Sequence, residues 1–424
     1  MLGKLEKGRS NRISVETDLT NEAAGHVGTH STRGIDRFRS FALTPSSSAH
    51  LDLIRAAAAW AVMWGHLRGL FFIDFPDVAR WNVWLGAIYF FTGFGHQAVM
   101  VFFVLSGFFI SSAIFKRRAT ESWSWGDYAV DRCSRLYVVL VPGLLFGLLW
   151  DEIGDHRFAW TGLYTHPLLN LGYGVAQAGL TAKDFLGNVF FLQTIVCRTF
   201  GSNAPLWSLA NEFWYYALFP LALAAGLACA KRSWGRAVGF TILAIAVAIF
   251  VGPGILGAFP VWLAGCALAF AYLRFGFKAR GWLIGYLLLT LVVLGMCLTG
   301  ARIGSPRRFG GDLYVGTAFA LFLFGVLQLD FRGRHERYSR FTHSCAGFSY
   351  SLYVLHFPLL LLLRAWLAPV ARWQPDATHL FHGVVVGAGV LAFAWLVSLV
   401  TESKTHVVRK WMRRQVLRHD GTAQ

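Results

Sequence analysis

GWLIGYLLLTLVVLGMCL, residues 281–298, is a stretch of eighteen residues without a charged side chain. LYVGTAFALFLFGVLQL, residues 313–329, is a second uncharged stretch, of seventeen residues. Each is close to the ~20 apolar residues with which a helix crosses ~30 Å of hydrocarbon. The composition agrees, because 55% of the 424 residues are hydrophobic and only 14% are charged, whereas roughly 25% of the residues in a soluble domain are charged. The sequence therefore predicts an integral membrane protein.

Segment length and hydrophobicity predict an all-α polytopic membrane protein with about ten transmembrane helices. The candidate helices lie near residues 52–72, 84–115, 129–150, 206–230, 237–255, 257–274, 281–300, 313–330, 346–368 and 381–401. The apolar stretch 185–196 is too short to cross and is predicted to be re-entrant or interfacial. This domain spans residues 49–415, between a polar, disordered cytoplasmic tail over 1–48 and a cytoplasmic tail over 416–424.

The formal net charge of +17 is carried mostly by short clusters of Lys and Arg between the apolar segments. The clusters lie within residues 116–118, 231–232, 274–280, 332–340 and 409–414. With ten spans and both termini inside, all of them face the cytoplasm, as the positive-inside rule requires. This distribution favours a membrane rather than nucleic acid as the partner. The six cysteines are scattered without CxxC or CxxH pairs, so neither a metal site nor a disulfide framework is predicted.

The first predicted helix carries the residue most suited to chemistry, His66. It lies eleven residues after Arg55, which is ~16 Å along a helix axis. Ionisable groups at such a depth are costly and usually face an interior cavity. A histidine that bonds two helices together is an equally good interpretation. Asp52 and Arg55, one turn apart at the cytoplasmic helix end, predict an interfacial ion pair or part of a site.

Further polar residues lie in other predicted helices. Arg132 and Arg135 share one helix face, where two guanidiniums can bind phosphates, although a positive-inside anchor explains either one alone. Glu212 lies ~9 Å below the outer surface, at nearly the depth of His66, so acid and base are predicted to share a site. His356 is mid-membrane with a structural or cavity-lining role, and Pro358 is expected to free backbone carbonyls near it.

Five sequence blocks in this order resemble the acyltransferase-3 family of membrane proteins, which O-acylate sugars and other hydroxyl-bearing acceptors. The blocks are LDLIR at 51–55 with His66, FFVLSGFFI at 102–110, Arg132-x-x-Arg135, PLWSLANE at 205–212 and SYSLYVLH at 349–356. Small residues such as Ser106 also favour close helix packing. Glu402, after the last predicted span, resembles the acidic residue near the C-terminal end of the family. Phe213 and Trp214 depart from the family, which often has Glu or Gln after the PLWSL glutamate.

The resemblance implies a reaction and roles for these residues. The donor would be acetyl-CoA or another acyl-CoA from the cytosol, with its phosphates at Arg55, Arg132 and Arg135. His66 would be the general base or the acyl carrier, and Glu212 would orient its imidazole. The acceptor would be a hydroxyl of a carbohydrate or lipid-linked sugar, and the location the bacterial inner membrane. A cavity would be lined by Asp52, Ser106, Trp207, Ser208, Tyr350 and His356.

Two other classes of function fit the same residues. A secondary transporter or flippase would use His66 and Glu212 to relay protons or to bind substrate. A membrane scaffold would use them only to bond its helices together. The sequence does not predict an oligomeric state, the acceptor or the acyl chain.

Overall fold

The computed structural model describes residues 43–168, 171, 174, 176–275, 280–303, 309–329 and 335–420. Within these ranges the regular structure is helical, and it includes fourteen α-helices. They are α1 (Pro45–Phe71), α2 (Val83–Phe91), α3 (Gly95–Ala119), α4 (Trp125–Phe158), α5 (Ala182–Val189), α6 (Trp207–Ala230), α7 (Trp234–Leu256), α8 (Phe259–Arg274), α9 (Arg280–Ile303), α10 (Phe309–Val326), α11 (His335–Ala346), α12 (Ser349–Leu367), α13 (Ala377–Ser398) and α14 (Thr405–Asp420).

Seven helical segments in the described part of the chain are long and apolar enough to cross a membrane. They are Gly95–Ala119, Trp125–Thr161, Ala204–Ala230, Trp234–Leu256, Gly281–Ala301, Glu336–Leu367 and Ala377–Gln415. Two shorter apolar helices are Phe259–Arg274 and Gly311–Val326. The all-helical fold and its membrane character agree with the sequence. Each of the ten predicted segments overlaps helical structure, and the number of crossings stays a prediction.

Three boundaries differ from the predicted ones. The predicted segment 84–115 consists of two helices, α2 and α3, which are separated by a break at residues 92–94. Residues 1–42 of the predicted N-terminal tail lie outside the described residues, and α1 already begins at Pro45, capped by the Thr44 side chain. At the other end, α14 continues to Asp420, and residues 421–424 lie outside the described residues.

The segment predicted to be re-entrant, 185–196, overlaps the eight-residue helix α5 and continues into turns. The Tyr137 hydroxyl of α4 donates to the Val189 carbonyl oxygen at 2.9 Å. The Trp214 indole of α6 donates to the Phe191 carbonyl oxygen, also at 2.9 Å. These bonds fix the segment against two long helices, and its position relative to the membrane surface stays a prediction.

The closest helix crossing in the site region joins α3 to α8 through two glycines. A Cβ atom on Gly107 would lie 2.0 Å from the Trp262 carbonyl oxygen, and one on Gly265 would lie 2.0 Å from the Val104 carbonyl oxygen. Such contact between backbones requires small residues. The crossing places Ser106, next to Gly107, against Trp262, whose indole donates to the Ser106 hydroxyl at 3.1 Å.

Two of the basic clusters, 116–118 and 409–414, meet at one end of the bundle, which we call the basic end. It includes the end of α3, the start of α4 and helix α14, joined by ion pairs of Asp131 with Arg117, Arg409 and Arg413. The start of α1 lies at the same end, because Arg55 borders the same cavity as Arg409 of α14. The gathering of these clusters is what the positive-inside rule predicts for a cytoplasmic face.

Candidate active site

The two histidines predicted inside the membrane meet in the bundle. Nδ1 of His66 on α1 lies 2.8 Å from Nε2 of His356 on α12. Their rings are stacked, with centroids 5.0 Å apart and planes 14° from parallel. Phe357 packs edge-on against His66 with its ring centroid at 5.1 Å. His356 has no exposed surface. The sequence predicted both residues and did not predict that they form a pair.

The hydrogen bonds of His356 define the tautomers of the pair. Nδ1 of His356 lies 2.8 Å from the Tyr353 carbonyl oxygen and 3.0 Å from the Leu352 carbonyl oxygen. A carbonyl oxygen only accepts, so this nitrogen carries the proton and Nε2 of a neutral His356 is an acceptor. His66 must then donate from Nδ1. The lone pair of the His66 imidazole is therefore on Nε2.

The backbone beside His356 is also satisfied by a side chain. Pro358 has no N–H, so the carbonyl oxygen of Val354, four residues earlier, lacks its helical donor. The Asn203 side-chain amide donates to that oxygen at 2.8 Å. The carbonyl oxygen predicted to lack a helical donor near His356 is thus that of Val354. The hydrogen bond from Asn203 to this oxygen joins α12 to the turn that precedes α6.

Glu212 is held by hydroxyl groups rather than by His66. Its Oε1 accepts from the Ser106 hydroxyl at 2.8 Å and from the Tyr216 hydroxyl. No hydrogen bond joins Glu212 to His66 among the described residues. The prediction that Glu212 orients the imidazole therefore needs correction, because His356 occupies that position.

Two cavities lead from the basic end into the bundle. The outer one, the mouth cavity, has a volume of about 550 Å³, and the deeper one, the inner cavity, about 70 Å³. Arg55, Arg135 and Tyr350 line both cavities and so mark where they adjoin. The mouth cavity is further lined by His343, Glu402 and Arg409, and the inner cavity by Phe102, Ser208, Glu212 and Tyr353.

The inner cavity ends close to the histidine pair. The ring centroid of Tyr353, which lines the cavity, is 6.0 Å from that of His356 and 5.8 Å from that of Phe102. The Tyr353 hydroxyl is 2.6 Å from the Ser208 hydroxyl. Tyr353 therefore lies between the inner cavity and His356. Tyr353 belongs to the SYSLYVLH block, but its sequence position alone did not predict this location.

The two predicted phosphate-binding arginines separate in the structure. Arg135 lines both cavities, has an exposed side chain there, and forms no salt bridge in the part of the chain that the structure describes. The Arg132 guanidinium instead stacks over the Tyr128 ring, 5.8 Å from its centroid. Arg132 is absent from the described lining of both cavities. Arg135 therefore lies at the cavities with Arg55 rather than with Arg132, and the binding of phosphates by these residues stays a prediction.

The remaining predicted residues have structural contacts around the cavities. Asp52 forms a 3.2 Å salt bridge with Arg55, as the simpler interpretation of that pair predicted. The Tyr350 hydroxyl donates to the Leu136 carbonyl oxygen at 3.3 Å. Trp207 packs edge-on against Phe103 with centroids 6.0 Å apart.

Glu402 and Arg409 belong to the mouth cavity although both follow the last predicted span. Oε2 of Glu402 accepts from the backbone N–H and the hydroxyl of Ser351, both at 3.0 Å. This carboxylate thereby satisfies a backbone donor in the first turn of α12. The sequence indicates Glu402 but not Arg409, because a basic C-terminal segment is explained by the positive-inside rule alone.

The fold and the site define a helical membrane protein with a histidine pair inside the bundle, near two adjoining cavities at its basic end. The acyltransferase-3 family, described as "Acyltransferase domain", matches residues 48–399. The chain belongs to this family, which confirms the resemblance of its motifs and the predicted enzyme class.

One curated relative adds to this comparison. The chain is similar to "Putative peptidoglycan O-acetyltransferase YrhL" of Bacillus subtilis (strain 168), with 25% identity over 354 residues. The similarity covers 76% of this chain and 51% of that protein, so the chain spans about half the length of the curated relative that it matches. No solved structure matches the chain significantly.

Proposed function

We propose that the protein is a membrane O-acyltransferase that moves an acyl group from cytosolic acyl-CoA to a hydroxyl of a carbohydrate or lipid-linked sugar. The observation that carries this proposal is the His66–His356 pair near the end of the two cavities. Its tautomer puts the lone pair of His66 on Nε2, as a general base or nucleophile requires. The family supports the reaction class, and the name of the Bacillus subtilis relative supports a polysaccharide acceptor.

The donor would enter at the basic end. The phosphates of CoA require cations, and Arg55 and Arg135 are the guanidiniums that line both cavities. Eleven residues separate Arg55 from His66 on α1, which is ~16 Å along the axis. The thioester arm would span this distance through the inner cavity, which is too small for the nucleotide. The basic end would face the cytoplasm, with both termini, in a bacterial inner membrane.

The transfer can follow either of two balanced routes. In the first, His66 Nε2 takes the proton of the acceptor hydroxyl while its oxygen attacks the thioester carbonyl, the C–S bond breaks, and the imidazolium returns the proton to the CoA thiolate. In the second, Nε2 attacks the carbonyl itself and the thiolate leaves. The acceptor oxygen then displaces the imidazole and loses its proton to the thiolate. In both routes a positive charge develops on His66.

His356 would act as a positioning residue in both routes. By accepting from Nδ1 it holds the His66 ring in one orientation and tautomer, and it stabilises the charged imidazole, as the third member of a triad does. Glu212 would have a different role from the one first predicted. It lines the inner cavity with Arg135, held by Ser106 and Tyr216, and would position the polar part of the thioester arm.

The test is transfer of labelled acetyl groups from acetyl-CoA by the purified protein, with His66→Ala as the variant. The variant should lose transfer, whereas His50→Ala, a control on the same helix whose ring bonds Tyr338 at 2.9 Å, should keep it. Normal product formation by His66→Ala would refute the assignment. Release of CoA without an acceptor would favour the acyl-histidine route. Substrate flux driven by a pH gradient, without consumption of acetyl-CoA, would indicate the transporter instead.

A further inference from the structure

Helix α14 lies beyond the part of the chain that the family matches, residues 48–399, and yet it reaches the mouth cavity. Arg409 on this helix lines the cavity together with Arg55 and Arg135. The cavity is also lined by one carboxylate, Glu402, and by His343. Three guanidiniums and one carboxylate therefore line the cavity; Arg55 also pairs with Asp52 and Arg409 with Asp131, outside the lining.

Asp131 at the start of α4 fixes α14 in this position. Its carboxylate is bound by Arg117, by Arg413 at 2.9 Å and by Arg409 at 3.4 Å. Only 6% of the Asp131 side chain is exposed. Arg413 also lies 3.4 Å from Asp127. Two carboxylates thus hold α14 against α4 through its arginines.

The charge of Arg409 is only partly compensated by these contacts. Asp131 is shared among three guanidiniums, and Arg409 makes the longest of the three ion pairs. The Arg409 side chain is 39% exposed, and it borders the cavity. A guanidinium has five N–H donors in a fixed fork that fits a phosphate. Asp131 therefore orients Arg409 and leaves donors for an anionic group in the mouth cavity.

We propose that α14 completes the donor site and that Arg409 binds a phosphate of the nucleotide part of acyl-CoA, while Asp131 holds the helix in place. The inference rests on the proposed function, which supplies acyl-CoA as the donor. The phosphates remain in the mouth cavity with Arg409, Arg55 and Arg135, and only the thioester arm enters the inner cavity.

The experiment measures the affinity of the purified full-length protein for CoA, with Arg409→Ala as the variant and Lys410→Ala as the control. Lys410 is an exposed cation one residue away on the same helix. Loss of a charge-assisted hydrogen bond should weaken CoA binding about tenfold in Arg409→Ala. Lys410→Ala should bind CoA as the wild type does. Asp131→Asn should also weaken binding, because the carboxylate that orients Arg409 is lost.

Donor analogues identify the group that Arg409 binds. S-acetylpantetheine has the thioester arm without the nucleotide phosphates, so its rate of use as donor should be the same in Arg409→Ala and the wild type. Dephospho-CoA lacks only the 3′-phosphate. If Arg409→Ala binds it as tightly as the wild type does, Arg409 binds the 3′-phosphate; a persisting deficit assigns Arg409 to the pyrophosphate.

The outcomes separate this inference from the proposed function. Equal CoA affinity in the wild type and Arg409→Ala, while the wild type transfers acetyl groups, overturns the inference alone. An equal loss in Lys410→Ala, or an equal loss with S-acetylpantetheine, also overturns it. If the wild type neither binds CoA nor transfers acetyl groups, the proposed function fails. Where Arg409→Ala does not fold, Arg409→Gln removes the same charge and decides the question in the same assay.

Discussion

The helices that carry the site differ sharply from α7 and α9 at the edge of the bundle. In α3, 67% of the most apolar part is buried inside the protein, compared with 11% in α7 and in α9. Residues 240–256 of α7 and 282–299 of α9 contain no Lys, Arg, Asp, Glu or His. The ionisable groups His66, Glu212 and His356 instead lie on helices that other helices cover. Inside a membrane, such groups are stable only where protein surrounds them, and the edge helices meet lipid with apolar side chains.

The largest effect expected from this comparison is on the histidine pair in the covered helices. His356→Ala should lower the rate of acyl transfer by about 10²–10⁴-fold, because His66 loses the acceptor that fixes its tautomer. His356→Gln should recover part of the rate, since an amide oxygen can accept from His66 Nδ1. The measurement is the initial rate with saturating acetyl-CoA. His382→Ala, an exposed histidine on α13, is the control. Full activity of His356→Ala would contradict the proposal that His356 positions the imidazole of His66.

A second prediction compares glycines in the two regions. Gly107→Ala should destabilise the protein by about 1–3 kcal/mol, because the added Cβ meets a backbone oxygen at the α3–α8 crossing. Gly295→Ala on α9 should be neutral or slightly stabilising, since its Cβ would meet no atom within 4 Å. Thermal unfolding of the detergent-solubilised protein measures both. Equal unfolding temperatures would show that the crossing is not tightly packed in solution.

A third prediction compares the two arginines of α4. Arg135→Ala should weaken CoA binding about tenfold, because its side chain lines both cavities without a salt bridge among the described residues. Arg132→Ala should change the affinity by less than about threefold, because its guanidinium stacks over the Tyr128 ring and is absent from the described lining of both cavities. Titration with CoA measures both affinities. A larger loss of CoA affinity in Arg132→Ala than in Arg135→Ala would support the sequence-based assignment of Arg132 to phosphate binding.

The smallest effect is expected at the edge of the bundle. Ile249→Ala on α7 and Met296→Ala on α9 remove side chains that are 76% and 68% exposed. Lipid is as apolar as these side chains, so little packing energy is lost. Acyl transfer and the unfolding temperature should stay at wild-type values. A large loss of stability at either position would indicate that another protein or a second copy covers this face.

The sequence was sufficient for the helices and for most individual site residues. Apolar length located the helices, because a helix in lipid must be long and free of charge. His66, Glu212 and His356 were found for the complementary reason, as costly polar groups inside apolar segments. Arg55 and Arg135 were found from their positions at helix ends.

The pairing of these residues could not be predicted. His66 and His356 are 290 positions apart, and depth alone matched His66 with Glu212 instead. Helical spacing placed Arg132 and Arg135 on one face of α4. In the structure the Arg132 guanidinium instead stacks over the ring of Tyr128, one turn earlier, and does not line the cavities. Arg409 was missed because its role depends on α14 folding back onto Asp131, which local sequence does not encode.

The small volume of the inner cavity has a consequence for the cell that hosts this enzyme. A water-filled passage through a membrane dissipates ion gradients, and each charge crossing 100 mV releases ~2.3 kcal/mol. The inner cavity has a volume of about 70 Å³ and is bordered by aromatic rings such as those of Phe102 and Tyr353. The proposed acyl transfer would pass through this narrow cavity and would not require a wide aqueous channel across the bilayer.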